Sequence, residues 1–246
     1  MRRPTCFPRS NDIEMKAMST AVQRLFAKVS PTYDLINRIL TFGLDRGWRE
    51  RAAASAADRS GIWIDVCCGT GDMVADLAHL ATDETKVLGL DFSWPMLRKA
   101  RKKPGMDRTI LLLADARILP VLDGSVDVIT VSFGVRNIRH SHLTLAQTFK
   151  EFHRVLKPGG LFVSLETSQP QSKIVRWLFH TYACLFVRGV GGRISGSRSG
   201  YAYLSSTASQ FYNAAELSET IREAGFHDVR YHHMMFGVVA IHEAST

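Results

Sequence analysis

The segment GIWIDVCCGTGDMVADLAHL, residues 61–80, decides the fold of this chain. It begins with a short apolar run typical of a buried β-strand and ends with the apolar spacing of an amphipathic helix. Gly69, Thr70 and Gly71 join the two parts, and the glycines allow the positive φ angles of a tight turn. Asp72 then begins the helix. A strand, a glycine-rich turn and a helix in this order form the first unit of an open α/β sheet.

The same alternation continues towards the C-terminus. The apolar strands KVLGLDF, TILLLAD, SVDVITVSF and GLFVSLE are separated by helices, of which LTLAQTFKEFHRVL is the longest. The last two strands, HDVRYHHMM and FGVVAIHEA, are predicted to form an antiparallel hairpin at the edge. Apolar strands with intervening helices indicate a parallel sheet that is covered on both faces. We therefore predict an α/β fold with a doubly wound, seven-stranded sheet.

Segments outside this sheet are expected to cover the active site and to bind substrate. Residues 1–11 are predicted to be a flexible tail, and residues 12–60 to be N-terminal helices that cap the active site. The cofactor-binding domain is predicted to cover residues 61–246, with an insertion at about 171–210 that breaks the alternation. Because long segments that leave an α/β sheet commonly carry function, we expect this insertion to bind substrate.

The composition excludes several classes of protein. Hydrophobic residues make up 46% of the 246 residues and charged residues 22%, as in an ordinary globular domain. The four cysteines contain no CxxC pair, so we predict neither a disulfide framework nor a metal site. We expect no membrane-spanning run and no secretory signal, because the basic N-terminus lacks an apolar stretch. The net charge of +8 indicates an anionic partner, either nucleic acid or a membrane surface.

Acidic residues follow three successive strands at the sheet edge where ligands bind. Asp65 and Asp72 flank the glycine-rich turn, where carboxylates favour a cationic ligand over a pyrophosphate. Asp91 ends the second strand, and a carboxylate there accepts hydrogen bonds from a ribose diol. Asp115 and Ala116 offer an acceptor and a backbone N–H to an adenine edge. An adenosine with a positive centre and without phosphates describes S-adenosylmethionine.

Several motifs resemble those of a known family. IDVCCGTGD, VLGLDFSWPML, LLLADARILPVLDGSVDVIT and HRVLKPGGLFV are similar to the class I methyltransferase motifs in order and spacing. VSPTYDLINRILTFGLDRGWRERA, SFGVRNIRH, YAYLSS and GVVAIH resemble the demethylmenaquinone and 2-polyprenyl-benzoquinol C-methyltransferases of menaquinone and ubiquinone biosynthesis. The resemblance covers about residues 22–245. It implies methyl transfer from S-adenosylmethionine, without a metal, to a ring carbon of a prenylated quinol.

The resemblance also implies the site residues. The cofactor-binding residues would be Gly69, Thr70, Gly71, Asp91, Asp115, Ala116 and Ser132. Arg136, Asn137 and Tyr33 would be catalytic. The guanidinium of Arg136 would stabilise the phenolate that makes the ring carbon nucleophilic, or orient a water that takes the hydroxyl proton. Asn137 would hold the ring or that water, and Tyr33 would close over the quinol and form a hydrogen bond with it.

A prenyl tail would account for the aromatic segment 174–187, which has Lys173, Arg176 and Arg188 beside it. We expect this segment to admit the tail or to lie as an interfacial helix, and the net charge to favour anionic lipid. A packed helix with an apolar stripe remains the alternative. These features predict a cytoplasmic protein with peripheral contact to the inner face of the membrane and no nucleic-acid partner. A homo-oligomer or a complex of quinone-biosynthesis enzymes stays open.

Other interpretations remain at this stage. A methyltransferase with another small-molecule acceptor would keep the cofactor site, and a sensor would bind the cofactor without turnover. An NAD-dependent oxidoreductase is disfavoured because Val74 replaces the third glycine of the dinucleotide fingerprint. Nucleic-acid methylation is disfavoured because SFGVRN replaces an Asn/Asp-Pro-Pro-aromatic motif. The sequence leaves a naphthoquinol and a benzoquinol ring open; we favour demethylmenaquinol and expect residues 190–210 to decide.

Overall fold

The computed structural model describes residues 22–139, 141–191 and 198–246. The strands in these ranges are β1 Gly61–Val66, β2 Thr85–Asp91, β3 Thr109–Leu113, β4 Val126–Ser132, β5 Leu156–Thr167, β6 His227–Met234 and β7 Val239–Ser245. They form one sheet in the order β3-β2-β1-β4-β5-β7-β6. Strands β1 to β5 run parallel, whereas β7 is antiparallel to both β5 and β6. The predicted seven-stranded α/β sheet is confirmed. Of the C-terminal hairpin, β6 forms one edge of the sheet, whereas β7 lies inside it between β5 and β6.

Helices surround the sheet. They are α1 (helical residues 22–29), α2 Tyr33–Leu40, α3 Leu44–Ala54, α4 Asp72–Leu80, α5 Trp94–Ala100, α6 Val135–Ile138, α7 His142–Val155, α8 Lys173–Tyr182, α9 Arg198–Ser209 and α10 Ala214–Glu223. Helix α8 continues as a π-helix over Ala183–Gly191. None of the helices in the described ranges is both long enough and apolar enough to cross a membrane.

Alternating side chains of the central strands build a core on each face of the sheet. Ile64 of β1 belongs to the core beneath α7 and α10, where Phe149 and Phe162 pack with ring centroids 5.5 Å apart. Trp63, the neighbouring residue on β1, belongs to the opposite core beneath α3, α4 and α5. Because successive side chains of a strand point to opposite faces, a run of apolar residues fills both cores.

The packing of α4 on β2 explains why the glycine-rich turn has no third glycine. Val74 of α4 is fully buried against the sheet. A Cβ added to Gly89 of β2 would lie 2.8 Å from Cγ2 of Val74 and 2.9 Å from Cδ2 of Leu111. The room for close contact between helix and sheet is therefore provided by a glycine on the strand.

The N-terminal helices and the insertion meet in a separate apolar cluster. Val22, Phe26, Val29 and Ile36 pack there with Met96 of α5 and with Tyr201 and Leu204 of α9. Segments that are far apart in the sequence thus form one packed unit beside the sheet. The division into a tail, N-terminal helices and a cofactor domain stays a prediction, and the tail 1–11 lies outside the described residues.

The close contact at Gly89 predicts a specific loss of stability. Gly89→Ala should lower the free energy of unfolding by about 1–3 kcal/mol, because the added methyl group overpacks the interface between α4 and the sheet. Gly47→Ala is the matched control: Gly47 lies within α3 with no atom within 4 Å of an added Cβ. The control should raise stability by up to about 1 kcal/mol. Urea unfolding measures both changes, and equal changes would contradict this packing.

Candidate active site

A cavity of about 820 Å³ lies at the carboxyl ends of the parallel strands. Five of the predicted cofactor residues line it: Gly69, Asp91, Asp115, Ala116 and Ser132. Apolar side chains that the sequence analysis did not select complete its wall, among them Val22, Phe26, Leu90, Phe92, Met96 and Ile138. The cavity therefore combines acceptors at strand ends with an apolar surface, which is the usual build of a small-molecule site.

Thr70 and Gly71 do not line this cavity and instead contact neighbouring helices. The hydroxyl of Thr70 donates a 2.5 Å hydrogen bond to Oδ1 of Asp34 in α2. Gly71 has a φ of +83°, and a Cβ added to it would lie 2.8 Å from Cβ of Ala100 in α5. These two residues attach the turn to neighbouring helices, and their assignment as cofactor residues stays a prediction.

Asp91 is fixed by backbone donors. The N–H of Gly69 donates to its Oδ2 at 2.9 Å, and the N–H of Ser93 donates to its Oδ1 at 2.8 Å. Burial raises the pKa of Asp91 to about 6, although these hydrogen bonds favour the ionised form. A carboxylate has about four acceptor positions, so these backbone donors leave acceptor capacity for a ligand. Asp91 lines the cavity, and its role as the ribose residue stays a prediction.

Asp115 is paired with Arg117, which the sequence analysis did not select. Nη2 of Arg117 lies 2.5 Å from Oδ2 of Asp115, and Nε lies 3.0 Å from Oδ1. The backbone N–H of Arg117 also donates to Oδ1 at 2.9 Å. Both residues line the cavity. An Asp followed two residues later by an Arg, immediately after a strand, was the sequence signal for this pair.

The acids that flank the glycine-rich turn lie outside the lining of this cavity. Asp65 is buried, accepts a 2.7 Å hydrogen bond from Oγ1 of Thr130, and has its pKa raised by burial to about 8. Asp72 forms an ion pair with Lys103. Asp91 and Asp115 are the carboxylates that line the cavity, and the attraction of a cationic ligand by Asp65 and Asp72 stays a prediction.

The turns after β1 and β4 approach each other closely. Cys67 and Phe133 follow these strands with φ angles of +59° and +53°, in the left-handed region that non-glycine residues seldom adopt. A Cβ added to Gly134 would lie only 2.7 Å from Cβ of Cys67. Burial raises the pKa of the Cys67 and Cys68 thiols well above its usual value, as is typical of unreactive, packed cysteines.

A second cavity of about 1360 Å³ shares Tyr33 and Phe133 with the first, and we call it the acceptor cavity. Its wall is mainly apolar and includes Leu40, Phe42, Trp48, Leu178, Phe179, Tyr182, Val187, Leu204, Met235 and Phe236. Helices α2, α3, α8 and α9 contribute to it, so the insertion does line a ligand-sized space. Two arginines, Arg49 and Arg136, also line this apolar space.

Tyr33, Arg136 and Asn137 lie near the junction of the two cavities. Tyr33 lines both cavities, Arg136 lines the acceptor cavity and Asn137 lines the first cavity. Burial raises the pKa of Tyr33, and the positive charge of Arg136 opposes that rise. Oδ1 of Asn137 and Oγ of Ser132 are buried without a hydrogen-bond partner among the described residues. Buried polar atoms without partners are uncommon, and these two belong to residues that line the first cavity, where a ligand would satisfy them.

Glu166 is the most important residue that the sequence analysis missed. Its Oε1 lies 2.5 Å from Nη1 of Arg136, and its Oε2 accepts the backbone N–H of Arg136 at 3.2 Å. The N–H and hydroxyl of Thr167 donate to Oε1 at 2.7 Å and 3.0 Å. Burial by itself would lower the pKa of Arg136, but the negative charge of Glu166 opposes this effect. The pKa is raised overall, so the guanidinium stays charged. Glu166 is near the carboxyl end of β5, so the rule that selected Asp91 would also have selected Glu166.

The pKa of Asp91 predicts how cofactor binding depends on pH. Affinity for S-adenosylhomocysteine should fall as the pH drops through about 6, because protonation removes a charged acceptor from the site. A tenfold loss between pH 7 and pH 5 is about the expected size. Isothermal titration calorimetry measures this change.

Two variants complete the pH experiment. Asp91→Asn should bind weakly at both pH values and lose most of the pH dependence. Asp83→Asn changes an exposed acid that pairs with Arg108 at the surface, and it should keep the wild-type profile. Equal wild-type affinity at both pH values would contradict the role of Asp91.

Comparison with known proteins gives close relatives. A family model described as the ubiE/COQ5 methyltransferase family matches residues 14–246. A demethylmenaquinone methyltransferase of Geobacillus kaustophilus is 38% identical over 90% of this chain and 94% of its own length. Proteins of the same name from Lactiplantibacillus plantarum and Staphylococcus aureus are each 36% identical, over 90% and 92% of this chain and 94% and 93% of their own lengths.

Solved structures share the fold at lower identity. A SAM dependent methyltransferase from Aquifex aeolicus superposes with a TM-score of 0.55 at 16% identity, over 80% of this chain and 88% of that chain. A phosphoethanolamine N-methyltransferase of Haemonchus contortus, solved with S-adenosylhomocysteine, gives a TM-score of 0.54 at 18% identity, over 75% of this chain and 38% of that chain. These similarities support the class I methyltransferase fold.

Proposed function

The chain belongs to the ubiE/COQ5 methyltransferase family and is an S-adenosylmethionine-dependent methyltransferase, and we propose that it methylates a ring carbon of demethylmenaquinol in menaquinone biosynthesis. The names of its relatives favour the naphthoquinol ring over the benzoquinol ring. The observation that carries the proposal is that Tyr33 and Phe133 line both cavities, so the two cavities meet at these residues. There, a cavity with acceptors for a nucleoside adjoins an apolar cavity that has room for a ring and a prenyl tail.

The first cavity fits S-adenosylmethionine, which supplies an electrophilic methyl group when it is bound. Asp91 would accept hydrogen bonds from the ribose hydroxyls. Asp115 and Ala116 would contact the adenine, whose faces would pack against apolar side chains of the wall. Oγ of Ser132 and Oδ1 of Asn137 are two buried atoms beside this cavity that lack a partner among the described residues, and they would supply further polar contacts to the ligand.

Arg136 would activate the acceptor ring. A ring carbon is a poor nucleophile until the neighbouring hydroxyl loses its proton. A charged guanidinium in an apolar cavity lowers the free energy of the phenolate that results. Glu166 accepts one hydrogen bond from that guanidinium and one from the backbone N–H of Arg136, and Tyr33 lies where a donor can reach the quinol. After carbon–carbon bond formation the ring loses its proton and becomes aromatic again.

Methyl transfer to defined acceptors tests this function. Purified protein would receive labelled methyl donor with chemically reduced demethylmenaquinol or with the matching benzoquinol, both with short tails. We expect the label in menaquinol, identified by mass, with turnover at least tenfold faster on the naphthoquinol. Faster turnover of the benzoquinol would overturn the ring assignment, and label in neither ring would overturn the function.

Arg136→Met in the same assay should lower kcat by about 10²–10³-fold, the usual cost of losing a charge-stabilising donor. Its affinity for S-adenosylhomocysteine should stay near the wild-type value. Arg139→Met is the control, because Nη1 of Arg139 donates to the exposed carbonyl of Gln210 at 3.1 Å. Wild-type turnover by Arg136→Met would remove Arg136 from the mechanism.

Exposed apolar side chains on the elements around the acceptor cavity indicate how a prenylated substrate arrives. This apolar rim consists of Leu35, Ile39, Phe42, Ile174, Trp177, Leu178, Leu185, Phe186, Met235 and Phe236. Phe236 is 88% exposed and also lines the acceptor cavity. Continuity between an exposed apolar surface and an apolar cavity suits a tail that leaves a bilayer. We therefore propose peripheral contact of the apolar rim with an anionic membrane, which the net charge of +8 favours.

Vesicle binding tests the apolar rim. The double variant Ile174→Asp/Trp177→Asp should lose at least about tenfold in affinity for anionic vesicles, because two charges would enter the interface, and neither residue lines the acceptor cavity. Its turnover of a water-soluble quinol should remain near wild type. Leu122→Asp is the control, since Leu122 is 80% exposed in the loop between β3 and β4. Vesicle binding that is unchanged in the double variant would contradict the proposed contact.

A further inference from the structure

Arg49 is a second buried guanidinium in the acceptor cavity, and the function proposed above assigns it no role. It lies in α3, is only 8% exposed, and lines the cavity. Its Nη1 donates to Oδ2 of Asp45 at 2.6 Å, and Oδ1 of Asp45 accepts the hydroxyl of Thr41 at 2.7 Å. Removing an ion pair from water costs several kcal/mol per ion. An arginine at this position therefore calls for an explanation beyond the stability of α3.

Arg49 and Arg136 share the same aromatic ring. The guanidinium carbon of Arg49 is 5.6 Å from the centroid of Phe133, and that of Arg136 is 5.9 Å from it. Both positive charges also lower the pKa of Tyr33, against the rise that burial causes. Each arginine is held by a buried carboxylate, Asp45 in one case and Glu166 in the other. The ring at the junction of the two cavities thus has two fixed cations beside it.

Both guanidinium groups keep donors for a ligand. A guanidinium has five N–H groups in a planar fork. Within the described ranges, the side chains of Arg49 and Arg136 each use only Nη1 in a hydrogen bond to a protein acceptor. Both arginines line a cavity whose wall is otherwise mainly apolar. An acceptor group on a ligand would satisfy their remaining donors.

We propose that Arg49 binds the second oxygen of the quinol, the one para to the oxygen beside Arg136. This inference rests on the proposed function, because it takes a 1,4-hydroquinone as the acceptor. The two oxygens of that ring are at opposite ends, and the two cations near Phe133 would each contact one of them. The pair selects acceptors with oxygens at both ends of the ring, since a ring with one oxygen leaves a buried cation without its acceptor.

Binding to the complex with S-adenosylhomocysteine tests this role without turnover. The two ligands would be a short-tailed 1,4-naphthohydroquinone and the matching 1-naphthol that lacks the second oxygen, both kept anaerobic. Wild type should prefer the hydroquinone by at least about tenfold, which corresponds to one hydrogen bond to a charged group. In Arg49→Met the preference should fall below about threefold, mainly through weaker binding of the hydroquinone.

Controls separate this role from a folding defect. Arg46→Met removes an exposed arginine of α3 that pairs with Glu50 at the surface, and it should keep the wild-type preference. If Arg49→Met proves unstable because Asp45 is left unpaired, Asp45→Asn/Arg49→Met removes both charges and should show the same loss of preference. Thermal unfolding and S-adenosylhomocysteine binding verify that each variant is folded.

The outcomes distinguish this inference from the proposed function. If Arg49→Met and the double variant are folded and still prefer the hydroquinone as strongly as wild type does, the proposed role of Arg49 is overturned. Methylation of the hydroquinone by wild type in the same preparation would leave the proposed function intact. Failure of wild type to methylate either ring would overturn the function, and the binding ratios would still report whether Arg49 contacts the second oxygen.

Discussion

The buried ion pair between Arg136 and Glu166 is the interaction on which the acceptor site depends. Breaking a buried pair by removing one partner commonly costs about 3–5 kcal/mol, because the other charge then stays unpaired away from water. Glu166 is 1% exposed, and it also accepts two hydrogen bonds from Thr167. The pair connects α6 to the end of β5 and fixes one cation at the wall of an apolar cavity. Charge that develops on a ring there would meet a guanidinium that is already oriented.

The charged residues that line the two cavities differ, and the difference suits methyl transfer. Asp91, Asp115 and Arg117 line the first cavity, so carboxylates outnumber guanidinium groups there. Arg49, Arg136 and Asp45 line the acceptor cavity, where guanidinium groups outnumber carboxylates. A cationic methyl donor is favoured beside carboxylates, and an acceptor that becomes anionic is favoured beside guanidinium groups. Phe133, with its positive φ, lies between them. Backbone strain of this kind persists where the surrounding packing enforces it, and here Gly134 and Cys67 are in close contact.

The sequence predicts the position of a site residue where the end of a strand alone decides it. Asp91 and Ser132 end β2 and β4, and Asp115 follows β3, so their arrival at one cavity follows from the order of the strands in the sheet. The sequence does not report burial, and burial is what raises the pKa of Asp65 to about 8. Sequence reasoning also missed Arg49, whose spacing from Asp45 resembles an ordinary helical ion pair of the surface.

The sequence by itself determined the sheet, its parallel part, the glycine-rich turn and the family, because these depend on local periodicity and contiguous motifs. Only the tertiary structure decided which polar groups are buried together. The acceptor cavity is lined by segments as distant in the chain as α2, α8 and the residues around Phe236, and no local pattern encodes their contact. The pairing of Arg136 with Glu166 spans 30 residues and arises because α6 packs against β5. Long-range packing converts isolated charged residues into a site, and the linear pattern does not record it.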